Sequence, residues 1–553
     1  LASAYGLNYI PGPWMESIQV SKGTASVKNG YEAITGQINV EFKKPAASEK
    51  IFINGFLNDA LSSEMNVNAS ARFTDRLSTM VFGHASANSR VADHNGDGFR
   101  DEPNGRQVNL FNRWDYMTET FTFRAGARVM QEERVSGQVT YKSMMPDTWS
   151  EGYGINISTL RAEAFTKTGV VFPSDRSMTV GWIQSVSHHD QESLFGIQGY
   201  NGRQDSWYSS LLYQWSPLLS RHIVDAGVSY RYDSFSEQLN GDQLSRRESV
   251  PGGFLQYTYN DTAKVTLLAG IRADRHNLYG TLITPRVHIR ISAGDKTTIR
   301  ASSGKGYRST NVLAENHYLL AGSRTIIVAP GLTAEEAVTS GINITRYETV
   351  GGNELRLSAE YYRTDFINQV ITDIDASVDE ARFYNLDGKS FSNVIQMEAA
   401  YRPLPGLDLV AAWRWNDARM TIDGLLREKP LTSRYKGLVT ASYLTRLRKW
   451  QYDYTLQLNG PGRIPSTAAN PEEFRRPESF GSYTITNLQV TRYMKYFEAY
   501  LGVENLFNFT QHDPLIAAGD PFGSYFDGSL IWGPVMGRKI YTGFRFLINR
   551  NNQ

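Results

Sequence analysis

The 553-residue sequence contains no cysteine, which leaves no disulfide framework and no paired-cysteine site. It has no run of about 18 or more apolar residues, so helical membrane spans are excluded. Neither charge is in excess. Lys and Arg number 57 against 56 Asp and Glu, giving no polyanion-binding footprint, and no nucleic-acid partner is expected. Enzymatic signatures are also wanting: there is no Gly-x-Ser-x-Gly elbow, phosphate loop or His-Glu-x-x-His, so no enzyme activity is expected. Leu1 carries neither an initiating Met nor a signal peptide, and a mature or cropped chain is the expectation.

What the sequence does have is 31 Tyr, 26 Phe, 10 Trp and 47 Gly. Its mean hydropathy is -0.40. A closed β-barrel spans a membrane with such a polar average, because only alternate side chains face lipid. Period-2 runs bounded by turn residues occur 22 times, beginning near 51 to 59, 65 to 74 and 79 to 88 and ending near 481 to 492, 497 to 507 and 540 to 548.

Several runs allow their faces to be assigned. Val224, Ala226, Val228, Tyr230 and Tyr232 fall on one side of the ninth run, with Asp225, Gly227, Ser229 and Arg231 on the other. Leu355, Leu357, Ala359 and Tyr361 likewise oppose Arg356, Ser358, Glu360 and Tyr362.

The connections alternate in step with the strands. Tight turns such as Thr74-Asp75-Arg76, Asn260-Asp261 and Pro403-Leu404-Pro405-Gly406 join even runs to odd ones. Odd-to-even connections are mostly long: 89 to 106, 131 to 157, 305 to 333, 372 to 390, 461 to 480 and 508 to 539. Short turns at one rim and long loops at the other are the pattern of an outer-membrane barrel, whose long loops are extracellular. A soluble sandwich or propeller predicts no such asymmetry, and no repeat of roughly 40 to 50 residues is present. The fold class read from the sequence is therefore all-β: a 22-stranded antiparallel transmembrane β-barrel.

Motifs along the chain carry a family resemblance. The segment Glu16 to Pro45 has an Ile18-x-Val20 strand, then Lys22-Gly23, Gly30 and Gly36, then the alternating run Ile38 to Phe42. It resembles the end of the plug in TonB-dependent outer-membrane receptors. Gly304-Lys305-Gly306-Tyr307-Arg308-Ser309 is similar to the family's arginine box, with Ser309-Thr310 where Ala-Pro is usual. Pro330 to Glu336 is similar to its Pro-x-Leu-x-x-Glu pattern. Tyr361-Tyr362-Arg363-Thr364-Asp365-Phe366 and Gly502-Val503-Glu504-Asn505-Leu506-Phe507 resemble two further barrel signatures.

The resemblance implies that residues 1–46 are the C-terminal part of a lumenal plug domain and 47–553 the barrel. Lys22, Gly23, Gly30 and Gly36 are then the plug motif, and its glycines also have a purely conformational reading. The implied function is energised import of a scarce ligand: a ferric siderophore, haem or cobalamin, with copper or an oligosaccharide as alternatives. The implied partners are outer-membrane lipid, the small-molecule or metal-chelate ligand, a surface lipoprotein, and the TonB complex through plug residues preceding this segment. A passive porin or a surface-binding adhesin is the rival reading.

The loops hold the candidate sites. Asp93, Asn95, Asp97, Phe99 and Asp101 offer oxygen ligands at calcium-loop spacing, four from side chains and one from the Phe99 carbonyl. Asn104 stands where a twelfth-position acid belongs, and a loop of Asx turns is the alternative to Ca²⁺. No other cofactor is required. His188, His189, Met144, Met145, His512 and His317 are candidate soft-metal or haem ligands. Trp149, Tyr153, Tyr200, Tyr318, Tyr525, Phe526 and Trp532 are candidates for a ligand mouth or for the interfacial aromatic girdle.

Overall fold

The computed structural model describes residues 1, 5–142, 152–172, 177–217, 221–261 and 264–549. Among these residues, 22 strands form one closed antiparallel barrel, from Ile51–Asn58 to Lys539–Ile548. First and last strands pair directly, Ile51 opposite Ile548 and Asn58 opposite Tyr541. Every barrel strand thus has two neighbours, and the backbone polar groups are satisfied without water.

The alternation read from the sequence is the inside-outside alternation of this wall. Val228 is 59% exposed on the outer surface, whereas Asp225 and Asp233 on the same strand are 3% and 1% exposed on the inner one. The outer row Ile344, Ala359, Met397, Trp413, Gly437 and Leu458 is continuous from strand to strand. That apolar belt suits hydrocarbon, and the inward row of charges suits a lumen.

The two rims differ as the connection lengths predict. On the short rim, Val350 and Asn353, Leu404 and Leu407, and Tyr493 and Phe497 are joined by tight turns. The opposite rim carries long segments at 89–103, 309–334, 369–389 and 505–538. Part of that rim is built differently from the sequence reading. The stretch 131 to 157, expected as loop, contains the ends of the strands Phe121–Gly137 and Gly154–Val171. Met178–Phe195, Gln198–Trp215, His222–Leu239 and Asp242–Asp261 run 18, 18, 18 and 20 residues. A membrane crossing takes only about 9–11 residues, so this sector of wall rises beyond the hydrocarbon layer and closes in hairpins at Gly196 and Gly241.

The long loops pack on one another. Leu319, Val370, Phe383, Ile464, Ile516 and Leu530, from four different loops, share one buried apolar core. Thr325–Val328, Glu380–Asn385 and Val370–Asp373 form a small sheet within it. Buried ion pairs join loop to loop: Arg324 with Asp527 at 3.0 Å and Arg463 with Asp375 at 2.6 Å. The result is a roof with its own core over part of the mouth.

The described residues among the first 46 lie against the inner wall. Met15–Lys22 pairs antiparallel with Gly36–Phe42. Trp14 is fully buried between Phe82 and Phe111, two inward-facing wall residues. Arg286 donates to the carbonyls of Ala25, Ser26 and Tyr31 at 3.2, 3.0 and 3.3 Å. Lys28 pairs with Asp225 at 2.7 Å, and Asn109 donates to the Tyr9 carbonyl at 2.6 Å.

Candidate functional site

Beneath the roof, at the long-loop rim, is a cavity of about 520 Å³. That lies within the range of small-ligand sites, roughly 300–1,000 Å³. Its lining combines the end of one barrel strand (Arg308), the turn that follows it (Glu315, Asn316, Tyr318), the start of the next strand (Glu335), and Lys429 and Ser529 from two other loops. Arg308 is the centre of its charge. The guanidinium donates to Glu335 at 3.0 Å and to Glu315 through its other terminal nitrogen. Glu315 in turn accepts the Asn311 backbone N–H at 3.2 Å, and Glu335 that of Val370 at 3.2 Å. One arginine therefore ties together three segments at the cavity floor. Lys429 also faces the cavity and has no carboxylate partner among the described residues.

A second cavity of about 370 Å³ lies lower, between Gly30, Tyr31 and Glu32 and the polar wall residues Arg161, Gln204, Asp233 and Arg272. Arg231 bridges the two surfaces, pairing with both Glu32 and Asp233.

The sequence candidates divide between cavity, roof and wall. Tyr318 lines the upper cavity and remains partly exposed there. His317, one residue earlier, points elsewhere: its Nδ1 donates to the Ala314 carbonyl at 2.9 Å, and its Nε2 accepts from the Tyr5 hydroxyl at 2.8 Å. Both nitrogens are engaged, so neither is free to ligate iron. Phe526 is buried in the roof, 4.8 Å from Tyr153 and stacked on Phe99 at 5.6 Å. Trp532 stacks on Phe480 at 4.9 Å. Tyr525 is more exposed and packs beside Phe474 at 5.5 Å. Tyr200 donates to Glu237 at 2.8 Å, as a buried wall residue. His188 and His189 face opposite sides of one strand: His188 pairs with Asp205, while His189 is buried on the inner wall. His512 is exposed and pairs with its neighbour Asp513 at 2.8 Å. Trp149, Met144 and Met145 lie outside the described residues.

The loop from Asp93 to Asp101 is closed by its own hydrogen bonds. Asp93 accepts the N–H groups of Gly96 and Gly98 at 2.8 and 2.9 Å, Asp97 that of Phe99 at 2.8 Å, and Asp101 that of His94 at 2.9 Å. Asn95 accepts the Asp97 N–H at 3.2 Å. The bonds of Asn95 to Asp97 and of Asp97 to Phe99 are successive Asx turns, while Asp93 and Asp101 tie more distant parts of the loop, and no group of three His, Asp or Glu side chains placed to hold a metal occurs among the described residues. The Phe99 ring anchors the loop in the roof.

Lys22 pairs with Glu360 and donates to Gln396 at 2.9 Å, holding its strand to the wall. Two of the neighbouring glycines have steric reasons. At Gly36, φ is +148° and a Cβ would meet the Ser21 carbonyl oxygen at 2.4 Å; at Gly23, φ is +74° and a Cβ would meet the Tyr362 ring at 2.8 Å. Gly30 lines the lower cavity. Spacing alone did not find Glu315 or Lys429. Arg308 and Glu335 fell within recognised motifs, but their mutual pairing depends on strand register, Arg308 opposite Glu335.

A closed 22-stranded barrel with a loop-roofed cavity and an N-terminal segment on its inner wall is an outer-membrane receptor barrel. Residues 67–506 match the family model described as TonB dependent receptor-like, beta-barrel. The chain belongs to that family. A curated relative, the ferric enterobactin receptor PirA of Pseudomonas aeruginosa, is 22% identical over 445 residues, covering 66% of this chain. The match spans 57% of that relative's length. Among solved structures, the siderophore receptor PirA of P. aeruginosa superposes with a TM-score of 0.69 at 13% identity, over 98% of this chain and 88% of that one. A mutant of the P. aeruginosa ferric enterobactin receptor PfeA gives 0.74 at 16%, over 98% and 86%. The siderophore receptor PirA of Acinetobacter baumannii gives 0.74 at 13%, over 98% and 86%. At these identities the likeness shows the fold.

Proposed function

We propose that this chain is a receptor that captures an anionic ferric siderophore in the upper cavity and imports it with energy from the TonB complex. The observation that carries this reading is the roofed cavity of about 520 Å³ at the extracellular rim, with Arg308, Lys429 and Tyr318 in its lining. A cation with no carboxylate partner and a phenol suit a ligand with anionic, aromatic iron-binding arms. The names of the relatives, ferric enterobactin receptor and siderophore receptor, support the same class. Residues 1–46 serve in this reading as the C-terminal part of the plug, and 47–553 as the barrel. The haem alternative loses support, because His317 is committed to Ala314 and Tyr5.

The test is growth of an iron-starved deletion strain carrying this gene, supplied separately with ferric enterobactin, haem and other iron sources, and uptake of cobalamin. Growth on ferric enterobactin that depends on the gene is expected. No response to any ferric chelate removes the siderophore reading. The passive-pore rival is checked in a planar bilayer, where the intact receptor should show almost no steady conductance.

A further inference from the structure

Consecutive residues of one short turn face two different places. Val312–Asn316 is helical, and His317–Leu320 continues it as a 3-10 turn. Glu315, Asn316 and Tyr318 line the upper cavity. His317 is 6% exposed and turns away from it, toward the N-terminal segment. Its Nδ1 proton is fixed by the Ala314 carbonyl, which leaves Nε2 as the acceptor for the Tyr5 hydroxyl. The Tyr5 ring lies 5.1 Å from the imidazole and under the Arg134 guanidinium at 4.4 Å. Leu313 and Leu320 belong to the apolar cluster against which Tyr5 packs, and Leu319 to the core of the roof.

The turn therefore touches the cavity, the roof and the N-terminal segment at once. Its position is set from the cavity side by Glu315, which is held by Arg308 and by the Asn311 N–H. We infer that the 312–320 turn reports occupancy of the upper cavity to the N-terminal segment through the His317–Tyr5 hydrogen bond. This rests on the reading of that cavity as the ligand site. An anionic ligand that draws on Arg308 competes with Glu315 for the guanidinium. It thereby favours arrangements in which Glu315 is released and the turn is free to shift, which is the differential contact that a population shift requires.

The coupling is tested first without ligand, by hydrogen exchange at residues 5–14 in the detergent-solubilised chain, in a cycle of Arg308→Gln and Tyr5→Phe. Arg308→Gln loosens the cavity end of the turn and should speed exchange at 5–14 by roughly fivefold, the scale of one net hydrogen bond. In the Tyr5→Phe background the same substitution should add nothing. An unchanged N-terminal segment in Arg308→Gln, or an equal increment with and without the Tyr5 hydroxyl, overturns the inference. Heat-modifiable migration on electrophoresis confirms folding of each variant, and His317→Gln provides a second cycle should Tyr5→Phe fail to assemble. Ferric enterobactin is then added to the wild type and to Tyr5→Phe. Tighter binding to Tyr5→Phe, by about the same fivefold, with faster exchange at 5–14 in the wild type alone supports the relay, since coupling between two sites is reciprocal. Equal affinity and equal exchange response overturn it. Absence of binding rejects the proposed ligand class, and the ligand-free cycle still decides the relay.

Discussion

Arg324 donates to Asp527 through Nε and Nη2 at 3.1 and 3.0 Å, and both side chains are almost wholly buried within the roof. The same guanidinium reaches the Ser377 carbonyl at 2.9 Å, so one side chain joins three loops. Removing one partner leaves the other charge buried and unpaired, a cost of about 3–5 kcal/mol. Asp527→Ala is expected to loosen the roof while leaving the barrel folded. Faster exchange across 322–328 and 515–530 with unchanged heat resistance of the barrel would show this; simultaneous melting of the wall would refute it.

Lys429 is expected to contribute to ligand affinity without contributing to folding. A charge-assisted hydrogen bond is worth about 1.5–3 kcal/mol, so Lys429→Gln should weaken ferric enterobactin by roughly 10- to 100-fold. Fluorescence quenching measures the affinity. An unchanged Kd would place the anion elsewhere in the mouth.

Trp14 is the apolar anchor of the N-terminal segment. Truncation of a buried large aromatic costs about 3–5 kcal/mol. Trp14→Ala should therefore release the neighbouring backbone, read as new protease cleavage between 14 and 45 and increased bilayer conductance. If both stay at wild-type levels, the polar contacts of Arg286 and Lys28 suffice to hold the segment.

Calcium binding to the 93–101 loop is tested by hydrogen exchange with EGTA and with millimolar Ca²⁺. On the calcium reading, Ca²⁺ slows exchange in this loop, and Asp97→Ala abolishes the effect. Equal protection under both conditions would leave the Asx-turn network as the whole account of the loop.

Burial holds the His317 imidazole below its ordinary pKa, with Arg134 acting in the same direction. The free side chain takes up a proton below about pH 6.5, whereas the buried one resists until lower pH. The contact with Tyr5 is consequently at full strength above that value and weakens as pH falls toward the depressed pKa. Exchange at 5–14, corrected for intrinsic rates, should rise between pH 7.5 and 5.5. The rise should be absent in His317→Gln.

The wall was legible in the sequence because each strand carries its own evidence. Val224 to Tyr232 alternates locally, and turns such as Leu404 to Leu407 punctuate it. The roof was not legible for the opposite reason. Arg463 meets Asp375 and Arg324 meets Asp527 only after distant loops converge, and no local periodicity records such pairs. His317 and Tyr318 make the same point at single-residue scale: they read alike as loop residues, yet one helical step separates a cavity lining from a contact with Tyr5. The full length of the strands between 178 and 261 was not legible because polar side chains occupy both faces there, His188, Asp190 and Glu192 on the outer and His189, Gln191 and Ser193 on the buried inner one, and alternation fades.

The pairing of Ile51–Asn58 with Lys539–Ile548 also bears on assembly. The seam joins the two ends of the barrel sequence, so its loop-closure entropy is the largest of any strand pair and its formation is intrinsically late. Until that pairing forms, the nascent sheet presents two open edges, each able to recruit a foreign strand. Substitutions in the last strand should accordingly reduce the yield of inserted barrel more than they reduce the stability of barrels that have already closed.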